Sequence, residues 1–134
     1  DTNQTGSGTV VTVEFDTEVF DQNNDYDNTT DTFTAPVTGR YVFDVSVIVG
    51  AMTSADEFEL YGVTSNRTFT MNYIDPNAAK TSTGFYGAAV TFFADMDVGD
   101  TCKIQIMIDG EAGDINSIFG SANPQTFFGG HLVC

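Results

Sequence analysis

Positive charge is scarce in this chain: Arg40, Arg67, Lys80 and Lys103 are its only Lys and Arg residues, against 19 Asp and Glu, and the formal net charge is -15. Such a surface repels polyanions, which excludes nucleic acid and heparin as partners. Histidine is nearly absent too. The one copy, His131, has no Ser or Cys nucleophile in a recognisable motif around it, and no phosphate-cradling loop is present. Paired carboxylates abound, but in so acidic a chain their proximity arises by chance and singles out no glycosidase. An enzyme is therefore not expected. Tryptophan is missing, and no apolar run approaches the roughly 20 residues that cross a bilayer, so no membrane insertion is expected either. The N-terminus lacks the charged-then-apolar order of a signal segment, which reads as a soluble processed chain or an excised part of a longer one.

What the chain does have is aromatic residues in an alternating pattern. Twelve Phe and five Tyr stand among 134 residues, of which only 17% are charged. That balance suits the core of a β-sandwich, and the length suits one domain that buries about two-thirds of its unfolded surface. Between Gly39 and Gly50, apolar residues recur at Tyr41, Phe43, Val45, Val47 and Val49, the period of a strand. Just before it, Ala35-Pro36-Val37-Thr38-Gly39 supplies one fixed φ and one permissive one, so the chain reverses between Thr32-Phe33-Thr34 and the long strand. Further strands are expected over 9–15, 18–20, 57–63, 67–74, 83–94, 101–108 and 127–133. Residues 1–8 are polar, without an apolar anchor, and read as a flexible lead-in to a domain spanning 9–134.

Phe15, Asp21, Tyr26, Phe33, Gly39, Tyr41 and Phe43 stand at mutual spacings that resemble the signature of the C1q-domain family. Val45 departs from it, where the family usually carries another aromatic. Phe127-Phe128-Gly129-Gly130-His131-Leu132-Val133 is similar to the family's closing strand, and Val98-Gly99-Asp100 to its lead into the strand before. The resemblance covers nearly the whole chain outside about 51–80. It implies an all-β fold, a ten-stranded jelly-roll sandwich of two antiparallel sheets of the C1q and tumour-necrosis-factor type, assembled as a homotrimer. The Cys that many relatives carry near the start of the signature is Ala35 here, so no family bridge transfers.

Segment 21–31 is dense in Asp and Asn, and its alternation imitates part of a calcium loop, though without the Gly and distal Glu of an EF-hand. The resemblance gives Asp21 and Tyr26 structural duties, which leaves Asn23, Asp25 and Asp27 as candidate Ca2+ ligands; a solvated turn is the alternative. Several relatives carry calcium-binding Asp residues in the connection that here holds Asp75 and Asn77, where Lys80 would compete with a cation. No cofactor is required by this reading. The loop 109–125 is long enough to be functional, and Glu111 and Asp114 are its candidate ligand-contacting residues. Segment 83–94 is apolar or small on both faces, so something beyond its own core must cover it. A second subunit fits, with a covering loop as the alternative; the subunit reading assigns Tyr86, Ala88, Val90 and Phe92, with His131, to a trimer interface, although which face of the strand turns to the threefold axis is not readable from sequence. Cys102 and Cys134 fall at one end of an antiparallel pair, where a disulfide is geometrically reasonable; a buried thiol and a terminal one are the alternative.

These readings converge on an extracellular, non-catalytic recognition head of a secreted, surface or viral or phage fibre protein, which binds a receptor or glycan through its loops. One alternative is a structural module that trimerises or caps a fibre or virion without its own ligand. A second is a soluble C1q-domain lectin of innate immunity.

Overall fold

The computed structural model describes residues 4–133. Within them eleven strands run β1 (Gln4–Thr5), β2 (Val10–Thr12), β3 (Tyr26–Asp27), β4 (Thr32–Thr34), β5 (Gly39–Gly50), β6 (Glu57–Thr64), β7 (Thr68–Ile74), β8 (Tyr86–Met96), β9 (Thr101–Asp109), β10 (Asn116–Ile118) and β11 (Phe127–Leu132). All pair antiparallel. One sheet is ordered β1-β10-β5-β11 with β8 on the other side of β5; the second is ordered β3-β4-β9-β6-β7 with β2 also on β9. This is the two-sheet jelly-roll sandwich that the alternation and the resemblance imply.

The long strand β5 is the axis of its sheet. It pairs with β8 over its whole length from Gly39 to Val49, and on its other flank with β11 and then β10. Its Tyr41, Phe43, Val45, Val47 and Val49 point inward and are all buried. They meet Cys102, Ile104, Ile106 and Ile108 of β9 and Phe58 and Leu60 of β6, all with no exposed surface, and this layer is the core. Phe43 lies at its centre. Its ring centroid is 5.3 Å from that of Phe33, 5.2 Å from Phe92 and 5.5 Å from Phe128. Phe128 in turn meets Phe15 and Tyr26. Each such pair contributes about 0.5–1.5 kcal/mol beyond its buried area.

Several local expectations are corrected. Residues 18–20 form no strand, and Val19 and Phe20 are 75% and 82% exposed. The lead-in expected over 1–8 is part of the sandwich from Gln4 onward: β1 pairs with β10, and the buried Thr5 hydroxyl accepts from Ile108 N and donates to Thr9 O; residues 1–3 lie outside the described residues. The Cys102–Cys134 pairing is not among these corrections, since Cys134 lies outside the described residues; Cys102 is buried in the core, and burial pushes its thiol up to about 12.

The central aromatic ring sets one sequence requirement that periodicity does not show. Gly130 pairs with Phe43 across β11 and β5, and a Cβ at Gly130 would lie 2.5 Å from Phe43 Cδ1. The ring occupies the space a side chain would need. Thermal or denaturant unfolding of Gly130→Ala should therefore show a loss of about 1–3 kcal/mol, the usual cost of overpacking a filled core. Wild-type stability in that variant would mean that Phe43 has room to shift.

Candidate functional site

The two ends of the sandwich differ in how they are closed. At the Gly39 end the turn 35–38 is tight: Tyr41 Oη donates to Val37 O, Ala35 N donates to Asp100 O, and the Asp100 carboxylate accepts from Ser65 Oγ, Asn66 Nδ2 and Asp97 N. At the Gly50 end three connections meet, 51–56, 75–85 and 110–115. They are knitted together by side chains rather than by strands. Glu111 reaches under residues 53–55 and accepts from the N–H groups of Thr53, Ser54 and Ala55 and from the hydroxyls of Thr53 and Ser54. The Lys80 ammonium donates to Thr53 O and to Asn77 Oδ1. Met52 N donates to Gly84 O, and the two backbones approach so closely that a Cβ at Gly84 would lie 2.7 Å from Met52 O. Between these connections lies an open concavity of about 520 Å³, lined by Ala51, Met52, Thr53, Asn77 and residues 80–84.

Four residues singled out in the sequence come to this end. Asp75 accepts from Asn77 N at the start of a short 3-10 turn (Pro76–Ala78), and Asn77 Oδ1 holds Lys80. Glu111 and Asp114, expected to face a ligand, face their own chain. Glu111 is 9% exposed, and Asp114 accepts from Ser7 N, Ser7 Oγ and Thr9 Oγ1, tying the loop to the segment before β2. The reason is local: a carboxylate is the strongest acceptor available to loop amides that no strand satisfies. The other candidate calcium residues are elsewhere. Asn23 and Asp25 precede β3 and Asp27 ends it, at one edge of the β9 sheet, whereas Asp75 follows β7 at the other. Four inter-strand spacings, roughly 19 Å, separate these edges. Asp27 accepts from Thr29 N and Oγ1, and among the described residues no three Asp, Glu, His or Cys side chains converge as a metal site would require.

The face assigned to assembly is also corrected. Tyr86, Ala88, Val90 and Phe92 share the inward side of β8; Ala88 and Phe92 are buried in the core and Tyr86 and Val90 pack against it. The side chains that β8 turns outward are those of Ala89, Thr91, Phe93 and Asp95, with Gly87 in the same row. Apart from Thr91, both rows are apolar or small from Tyr86 to Ala94, so the choice is made by the pairing with β5 and not by the strand's own pattern. His131 does lie outward. It pairs with Val42, which pairs with Phe93, giving an apolar row across three strands in which Phe93 is 58% exposed.

Sequence reasoning missed the constructive role of Lys80 and the hydroxyls around it. Thr81 Oγ1 accepts from Phe85 N and lies 3.0 Å from Thr83 Oγ1. The run Thr81-Ser82-Thr83-Gly84 after a Lys was the available signal. Asp31 was missed as well; it accepts from Phe15 N and Tyr26 Oη and so positions two aromatic residues of the signature.

Glu111 makes the stability of the Gly50 end depend on pH. Burial by itself would raise its carboxyl, but the hydrogen bonds from Thr53 and Ser54 outweigh that and hold the group at about 2, from an ordinary 4.5. A depressed folded value stabilises the fold above about pH 4.5, and the contribution fades as pH falls toward 2. Glu111→Gln should lose about 1.5–3 kcal/mol near neutral pH, the range for a hydrogen bond to a charged group. Urea unfolding from pH 7 to 2.5 should also show a flatter acid limb for the variant, and an unchanged limb would remove Glu111 from this role.

Comparison with known proteins agrees with this architecture. A search of curated proteins returned no significant match. Among solved structures, the globular domain of zebrafish complement 1qA protein superposes with a TM-score of 0.65 at 17% identity, over 100% of this chain and 91% of that one. At that identity the likeness is one of fold. The family model of the C1q domain matches residues 1–133, a span that takes in the aromatic cluster, the Asp-clipped loops and both sheets, and the chain belongs to the C1q domain family.

Proposed function

We propose that this protein is an extracellular recognition head that assembles as a homotrimer and binds a receptor or glycan through the loops at its Gly50 end. The C1q domain is a recognition-type module and not an enzyme. The observation that carries the assembly half is the outward face of the β5 sheet. Val42, Ile48, Ala89, Phe93 and Phe127 lie on it, Gly87 and Gly129 keep it low, and its Asp95 is paired with Arg40. Asp44 is the one acid left there without a cation in its row, bonded instead to Thr91. On a chain of net charge -15, a low-charge apolar sheet face with Phe93 and Phe127 exposed has the character of an interface core. The recognition half is supported by the Gly50 end, where three sequence-distant connections are held by side-chain hydrogen bonds around a polar concavity.

Neighbouring residues of β8 separate assembly from folding. Ala89 faces outward and is exposed, whereas Ala88 is 5% exposed in the core. Light scattering should give the mass of three chains for the wild type and of one chain for Ala89→Asp, with the far-ultraviolet circular dichroism of that variant unchanged. Ala88→Asp should instead lose the fold. A trimeric Ala89→Asp would rule out this face as the interface, and a glycan array with the wild-type trimer tests the recognition half independently.

A further inference from the structure

The concavity at the Gly50 end has a chemistry unlike the rest of the surface, and from it we infer a subsite for a sugar residue that carries one carboxylate. The inference rests on the recognition reading above and specifies its ligand. Although the chain has 19 Asp and Glu, none of them lines this concavity. Its lining supplies hydroxyls from Thr53, Thr81, Ser82 and Thr83, the Asn77 amide, and the ammonium of Lys80. Lys80 is one of four cations in the chain. Two of its three N–H groups are taken by Thr53 O and Asn77 Oδ1, both uncharged acceptors, which fix the ammonium and leave a third donor and the whole charge. Two acids stand behind the lining: Glu111 spends both oxygens on residues 53–55, and Asp75 accepts from Asn77 N, so each props the wall from behind.

The wall is also preorganised. Phe85 N donates to Thr81 Oγ1, which lies 3.0 Å from Thr83 Oγ1, so this hydroxyl pair is held before any ligand arrives. Ala51 has φ 62° on the rim, a conformation that a residue with a Cβ adopts at a cost, and such residues cluster at binding sites. A fixed ammonium beside an array of hydroxyls and an amide complements a polyol with one anionic substituent. The volume, about 520 Å³, lies within the range of about 300–1,000 Å³ of small-ligand sites. The net charge of -15 opposes any anion at long range. At physiological salt that repulsion is screened over about 8 Å, and the two acids that abut the lining from behind within that reach, Glu111 on Thr53 and Asp75 on Asn77, already accept from N–H and hydroxyl donors of the chain.

The test is a titration of the intact protein at physiological salt with glucuronic acid and, separately, glucose, followed by amide chemical shifts. The expected result is movement of the Thr81, Ser82, Thr83 and Gly84 amides, with about tenfold tighter binding of glucuronic acid, the factor one charge-assisted hydrogen bond contributes. Lys80→Gln should remove the preference between the two sugars. Because that change also touches Thr53 and Asn77, Ser82→Tyr serves as a second variant: Ser82 is exposed on the wall, and a ring there should block both sugars without altering the thermal midpoint. No shifts in the wild type with either sugar, or equal binding of glucuronic acid by wild type and Lys80→Gln, would overturn the subsite. Glycan-array binding that survives both variants would do the same, and would leave the broader recognition reading standing.

Discussion

The position of the Phe43 ring constrains most of the subunit. It touches aromatic rings from β4, β8 and β11 at once, so it joins β5, β8 and β11 of one sheet to β4 of the other. Through Phe128 the contact extends to Phe15 and Tyr26, which anchor an otherwise irregular stretch between β2 and β4. The same ring leaves no room for a Cβ at Gly130, and Phe92 does the same to Gly62 on the facing sheet. The family signature is thus a packing motif. Phe15, Tyr26, Phe33, Tyr41 and Phe43 are members of one cluster, while Asp21 clips the turn by accepting from Tyr26 N. Such a signature identifies a fold with high specificity and says little about a ligand, because its aromatic side chains are spent on packing.

That division explains which features were legible. The inward row of β5 was readable because it is apolar without a break, whereas Arg40, Asp44 and Ser46 interrupt the outward row, so one period-2 pattern stands out. The strand β8 was readable as a strand but not in its facing, since Ala88 and Ala89, or Phe92 and Phe93, are equivalent until pairing with β5 sets them. Residues 18–20 have the apolar character of a strand but no neighbour to pair with, and backbone pairing is a tertiary property. Glu111 and Asp114 were misread for a different reason. In an acidic chain a loop carboxylate looks like a ligand for something external, and only the folded arrangement reveals which backbone amides it already serves.

Those internal duties account for much of the acidity. Asp21, Asp27, Asp100, Glu111 and Asp114 each accept from N–H or hydroxyl groups of their own or neighbouring loops, and each has its carboxyl lowered below the ordinary range. These five acids therefore stand where loop N–H and hydroxyl groups lack ladder partners. The cost is self-repulsion, since only four cations offset 19 acids. A threefold assembly triples that charge, and the low charge of the outward β5-sheet face is what makes close approach of subunits physically reasonable.

In the proposed trimer, assembly and recognition would be coupled by symmetry. Rotation about a threefold axis preserves direction along that axis, so the Gly50 ends of three subunits lie at one common level of the proposed trimer. A solvent-open polar concavity binds a single sugar weakly, because hydroxyl contacts replace equivalent contacts with water. Three such sites at one end, engaging a surface that repeats its ligand, gain a factor of about 10²–10⁴ in avidity without any new contact. For the proposed trimer a deep pocket is then unnecessary, and the shallow, hydroxyl-lined wall around Lys80 would suffice for a multivalent head.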